Sequence, residues 1–300
     1  MFKEKLKQYV LDNPKLVNMR ESSLYPGLYV LKYKKTVFYN NSWNEFLEHC
    51  RGTIVDKDFN IVSYPFQKIY NLGVEDRAPK LSANTKVTAF RKVNGFMVAM
   101  TWYNDRLIVS TTGSTDSDYV AMAEEMMGKN RARFEDHCRL YNDCTFMFEC
   151  VHRDDPHIIP ETEGLYLLGY RKKEWSSPIE HNPLILENHT RELGTINVGS
   201  ITTTLDQLER MTKICRHEGY VFYTDDGVSA KIKSPYYLTN KWVARNPRTD
   251  KIMNMQADIK KNLDEEYHGL IDAIRENIVE YTAMDEQARL AWVRKFMENL

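Results

Sequence analysis

Lys92 is the side chain with the most chemical promise. It sits in an apolar run, residues 87–103, rich in Val, Phe, Trp and Tyr, with Gly95 three positions on. A lysine taken out of water gives up its proton more readily and becomes a nucleophile. The competing reading is an edge lysine that blunts a sheet. Glycine within a strand marks a bend or the close approach of another backbone. Glu149 lies in a second apolar run, residues 145–151, where a carboxylate requires a cationic partner, a hydroxyl or a metal. Arg51 starts a strand beside Gly52, and Lys68 comes late in the strand that returns from it. Together they suit a polyphosphate, or they are two surface cations. Lys231 and Lys233 are two apart on a strand and share a face, which makes either a two-cation clamp for phosphate or a basic edge. The polar loop 152–157 carries histidines and aspartates, but its spacing fits no standard metal-ligand set.

These residues need a sheet-rich scaffold. The 87–103 run reads as one long strand, with a turn at 104–106 and a return at 107–111. Further strands are expected at 28–33, 50–56, 61–71, 145–151, 158–160 and 164–170. A hairpin is expected at 219–223 and 228–233, around the turn 224–227. Helical spacing marks residues 2–11 and 204–217. It also marks 119–140, with Val120, Ala123, Met127 and Phe134 inward. Ser42 is placed to cap a short helix through Leu47. Residues 171–200 read as irregular, with Pro178 and Pro183 as breakers. Beyond Pro247 the pattern is helical, with stripes at Ile271, Ile274, Ile278 and Tyr281, then Leu290, Val293 and Phe296. A boundary near Asn246 to Asp250 divides the chain into residues 1–246 and 247–300.

The chain of 300 residues is 42% hydrophobic and 12% aromatic, enough for a substantial core and too much for disorder. Its formal net charge of −1 gives no global basic signature, so attraction to nucleic acid requires a local groove. The five cysteines are odd in number and form no CxxC pair, which argues against a disulfide framework or structural zinc. No apolar run approaches spanning length and the first residues lack an apolar leader, so the expectation is a protein of the reducing cytoplasm, without a membrane partner.

The order Arg51-Gly52, Lys92 to Gly95, Phe146 to Glu149, Glu218 to Val221, and Lys231 with Lys233 resembles the covalent nucleotidyltransferase superfamily. More closely, with residues 65–71 included, it resembles the RNA ligase 1 family of T-even-like bacteriophages. The resemblance covers about residues 28–240. It implies an α+β fold: an antiparallel-sheet nucleotidyltransferase (ATP-grasp-like ligase) core, followed by a small all-helical domain. The implied activity is ATP-dependent RNA ligation, joining 5′-phosphate and 3′-hydroxyl ends through a lysyl-AMP on Lys92 and an adenylylated RNA end, in RNA or tRNA repair. Arg51, Lys68, Lys231 and Lys233 would hold phosphates, Glu149 the ribose, and Glu218 a divalent metal, Mg2+ or Mn2+. Asn94 and Gly95 belong to the nucleotide-binding motif, and Tyr33 and Tyr237 match aromatic nucleotide-site positions. Cations and a metal nearby would favour the neutral amine of Lys92. The implied partners are ATP and single-stranded RNA ends, nicked tRNA among them. The implied state is a monomer, in the host cytoplasm if phage-encoded.

Two positions depart from the family pattern. Asn94 stands where Lys-x-Asp-Gly is usual, which removes a charge. Thr112 stands where relatives tend to place a basic residue. The alternatives are a catalytically impaired nucleotide- or RNA-binding homologue, or a DNA ligase or capping guanylyltransferase. The last two carry an OB fold after the Lys-x-Lys strand, where this chain is helical.

Overall fold

The computed structural model describes residues 2–74, 76–245 and 267–297. It is an α+β fold built on three antiparallel sheets of four strands each. The first sheet runs β1 (Val17–Glu21), β2 (Leu28–Tyr33), β3 (Arg51–Asp56), β4 (Ile61–Ser63). Helix α1 (Phe2–Asp12) buries Leu6 and Val10 in the same core as Leu31, Val55 and Trp43.

The run of residues 87–103 is not one strand. It divides into β5 (Lys86–Arg91) and β6 (Phe96–Tyr103), which lie in different sheets. β6 pairs with β7 (Arg106–Thr111) on one side and β8 (Cys144–Val151) on the other, and β9 (Gly164–Lys172) closes that sheet. β5 instead lies between β10 (Ser200–Thr204) and β11 (Gly219–Thr224), with β12 (Ser229–Lys233) beyond. At the break the chain passes close against β8. A Cβ on Gly95 would stand 2.2 Å from the carbonyl oxygen of Cys150, so only glycine lets the chain pass β8 here.

Other expectations change for similar reasons. Pro65 ends β4 early, and residues 65–71 leave the first sheet. They reach β12 instead, through a parallel bridge of Asn71 with Lys231. The helical stretch 119–140 is broken at Gly128, whose φ is +47°, into α3 (Asp118–Met127) and α4 (Arg131–Leu140). A five-residue helix, α2 (Lys35–Tyr39), precedes Ser42, and Asn44, not Ser42, caps the turn that follows. Residues 158–160 form a loop, not a strand. Pro183 opens a helix instead of breaking one. It follows the cap Asn182, whose side chain accepts from the Leu184 N–H at 3.0 Å, and starts α5 (Pro183–Leu193).

α6 (Leu205–Ile214) is capped by Thr204, whose side chain accepts from the Gln207 N–H. α7 (Pro235–Arg245) follows β12 directly. α8 (His268–Glu276), α9 (Ile278–Ala283) and the terminal helix α10 (Glu286–Met297) bury Ile271, Ile274, Tyr281 and Val293 in one cluster with Val243 of α7. The expected boundary near Asn246 to Asp250 lies outside the described residues. Among the described residues, no helix is long and apolar enough to cross a membrane, and the five cysteines are free thiols.

Candidate functional site

Where β5 passes to β6, the segment Lys92 to Gly95 meets the start of β11. The Lys92 N–H donates to the Gly219 carbonyl at 2.8 Å. This places Lys92 against Glu218, which is 2% exposed. The Lys92 ammonium donates to Glu218 Oε2 at 3.0 Å. The Asn94 amide donates to the same oxygen at 2.7 Å, and Lys233 pairs with Oε1 at 3.0 Å. Glu149, on β8, accepts from the Gly95 N–H at 3.1 Å.

The electrostatics follow from this crowding. Burial pulls the Lys92 pKa down, but the carboxylates of Glu149 and Glu218 outweigh it and the net shift is upward. Beside these acids, which are nearer than the sequence could show, Lys92 holds its proton more firmly. Burial drives Glu149 up, with Glu218 adding to it against the pull of Lys92. Glu218 goes the other way. Burial raises it, but Lys92 and Lys233 together hold its carboxyl below the ordinary range.

Lys92 and Glu149 also line a pocket of about 150 Å³. Arg51, Arg91 and Lys231 also line it, as do Phe66, Phe90 and Tyr223. Lys231 is brought there by two backbone bonds to residues 70 and 72, at 2.9 and 3.0 Å. Burial, then Arg51, Lys68, Lys233 and Lys92, push its pKa down to about 7. Five cations thus converge on one site that holds two carboxylates. Such a concentration of like charge favours an anionic ligand.

The remaining expected residues lie around this pocket, not in its lining. Lys68 is buried, with its ammonium 4.9 Å from the Trp43 ring centre and 5.0 Å from that of Tyr70. Tyr33 stacks under Arg51 at 5.8 Å. Tyr237 lies beneath Lys233 at 4.7 Å. A cation does stand beside Thr112: Lys32 Nζ is 2.5 Å from where a Cβ on Gly113 would be. Phe66, Phe90, Arg91 and Tyr223 escaped the sequence reading. Phe90 had a signal, since it is two residues before Lys92 in an alternating run.

His157 in the polar loop pairs with Asp155 at 2.7 Å. Among the described residues, the group with metal-ligand spacing is His137, His189 and Glu192. His137 Nε2 meets His189 Nδ1 at 3.1 Å, and its Nδ1 meets Glu192 at 3.4 Å. Burial lowers both histidines, His137 to about 4 with His189 contributing, so they are neutral and partner one another.

A family model described as RNA ligase matches residues 49–237, well over half of the chain. Among solved structures, an archaeal ATP-dependent RNA ligase is similar at 14% identity and a TM-score of 0.55, over 95% of this chain and 75% of that one. A protein described as an ATP-dependent DNA ligase from Aquifex aeolicus is similar at 14% identity and a TM-score of 0.51, over 97% and 76%. At such identities these two likenesses speak for the fold. No curated protein matches the chain.

Proposed function

The chain belongs to the RNA ligase family, and on that premise we propose that it is an ATP-dependent ligase that joins RNA ends through a covalent lysyl-AMP on Lys92. The observation that carries this is the position of the Lys92 amine. Lys92 lines one pocket with the cations Arg51, Arg91 and Lys231, and its amine is held by Glu218. A nucleotide fits with its base against Phe66, Phe90 and Tyr223 and its phosphates toward the cations. Glu149, hydrogen-bonded to the Gly95 N–H, is placed for the ribose hydroxyls.

In the first step the Lys92 nitrogen forms a bond to the α-phosphorus as the bond to the pyrophosphate oxygen breaks. The ammonium must first shed a proton, and its hydrogen-bond acceptor is Glu218. Arg51, Lys231, Lys68 and Lys233 stabilise the charge that develops on the phosphates and on the leaving pyrophosphate. In the second step an RNA 5′-phosphate oxygen takes the adenylyl group and frees the lysine. In the third, a 3′-hydroxyl attacks the RNA 5′-phosphorus and AMP leaves.

Two carboxylates beside a phosphate site fit Mg2+ or Mn2+, which favour phosphates and one or two acids over an all-protein cage. Glu218 would hold the ion, with Glu149 left to the ribose, and the ion's charge would neutralise the phosphates. Glu218 Oε2 is held by Lys92 and Asn94 and Oε1 by Lys233 alone, so a cation would approach Glu218 through Oε1, in competition with the Lys233 ammonium. We propose residues 1–246 as the adenylyltransferase unit and 247–300 as the helical one, acting as a monomer on single-stranded ends, nicked tRNA included, in RNA repair.

The test is labelled ATP with a divalent metal, on the parent and on Lys92→Ala. Label that survives denaturation, is absent from the variant and is discharged by pyrophosphate is the expected result. ATP binding without any adduct, under either metal, would leave a nucleotide-binding protein and end the ligase proposal.

A further inference from the structure

The segment that carries Lys92 is gripped from outside by the loop after β8. The Ile159 N–H donates to Asn94 Oδ1 at 2.9 Å. Glu161 pairs with Arg91, the residue before Lys92. This loop is in turn gripped by the terminal helix α10. Arg294 donates to the Ile158 carbonyl through Nε at 3.2 Å and through Nη2 at 2.9 Å, and it also reaches the His157 carbonyl. Ile158 and Ile159 are buried in one cluster with Tyr237, Ala244 and Leu290.

A continuous path therefore runs from α10 to the nucleophile: Arg294, the 157–159 backbone, Asn94, Glu218, Lys92. Each link is a hydrogen bond, and the last two involve charged partners, which are the stronger kind. The carbonyls of residues 157 and 158 have a guanidinium fork as their donor, a group that fixes orientation better than an ammonium.

We propose that Arg294 is a positioning residue for nucleotide transfer: by holding the 157–161 loop it keeps Asn94 on Glu218, and Glu218 on Lys92. The terminal helix is then part of the catalytic apparatus and not only a unit appended to it. This rests on the ligase reading above. Positioning acts on the bound state as it goes forward, so its loss lowers the rate of transfer and spares the affinity for ATP.

The experiment is single-turnover AMP transfer to Lys92 in the full chain, for the parent, Arg294→Ala, Arg294→Lys and Val293→Ala. Val293 is buried in the C-terminal helical cluster, while Ile158 and Ile159 belong to a different one, so Val293→Ala is expected to lower the melting temperature without removing a member of the chain of hydrogen bonds. For Arg294→Ala the rate at saturating ATP is expected to fall about tenfold, the equivalent of one charge-assisted hydrogen bond. The KM for ATP is expected to stay within about twofold of the parent. Arg294→Lys should recover part of the rate, and Val293→Ala should keep the parental rate. An unchanged rate in Arg294→Ala would overturn the inference and leave the ligase standing. So would a Val293→Ala rate as low as that of Arg294→Ala. A parent that never takes label would end both.

Discussion

Asn94 and Glu218 share one short hydrogen bond, 2.7 Å from Nδ2 to Oε2, on the same carboxylate oxygen that holds Lys92. With an aspartate at 94, a second carboxylate would face the first across that distance. The charge missing from the family's usual motif is thus also a repulsion avoided.

For Asn94→Asp we expect a loss of about 2 kcal/mol in metal-free buffer, because a hydrogen bond to a charged group is replaced by like charges. Added Mg2+ or Mn2+ should restore more stability to the variant than to the parent, since the new pair offers a cation two acids. Melting temperatures with chelator and with metal read this. A variant as stable as the parent in chelator would show that the pair does not repel.

On the proposed reading, ATP binding beside Lys231 carries a proton cost that can be measured. Burial and four neighbouring cations hold its pKa near 7 in the free protein. Phosphates arriving beside it raise the pKa, so above pH 7 binding takes up to roughly one proton from solution. Calorimetry at pH 8 in buffers of unlike ionisation enthalpy should show that uptake, and Lys231→Met should lose it. Equal heats in all buffers would refute it.

Acid should unfold the protein through buried histidines. Burial, with Arg171, holds His49 near 4, and burial, with His189, holds His137 near 4, against an ordinary 6.5. Between these values only the unfolded chain binds the proton, so stability falls as pH falls from 6.5 toward 4, by about 3 kcal/mol for each residue at the end of that range. Denaturant midpoints from pH 7 to 4.5 should follow this course, less steeply in His137→Gln. A parallel decline in parent and variant would remove His137 from the account.

Gly95→Ala should be among the most damaging single changes. Its Cβ would meet the Cys150 carbonyl at 2.2 Å and the Cys150 carbonyl carbon at 3.0 Å, both backbone atoms that have no room to yield. We expect a loss of about 3 kcal/mol or more, and the separation of Glu149 from the Gly95 N–H. A melting temperature equal to the parent's would refute the steric argument.

Much of the site was readable because its chemistry is local in the chain. A lysine in an apolar run, a glycine three residues on, and a pair of lysines two apart are all patterns of a few residues. The hairpin at β11 and β12 was equally plain from its turn. What was hidden depends on the third dimension. Nothing within residues 87–103 says that its halves join different sheets, since both halves alternate as strands do. The two halves are told apart only by their partners, β11 for one and β8 for the other, far along the chain. Pro183 was misread because a proline breaks a helix interior but suits a first turn, and only the Asn182 cap separates the two cases. The protonated state of Lys92 was missed for a related reason. Glu149 and Glu218 are distant in sequence and adjacent in space, and proximity decides which charge wins.

The crossing of the chain between two sheets at Lys92 to Gly95 has a mechanical meaning. β5 belongs to one sheet and β6 to the other, so Lys92 lies on neither blade but at a pin between them. If the sheets spread to admit a nucleotide and draw together on it, the walls of the pocket travel furthest from this point and Lys92 travels least. The atom that must be aimed most closely is thereby the one least disturbed by loading and unloading, as the axle of a pair of shears keeps its place while the edges swing.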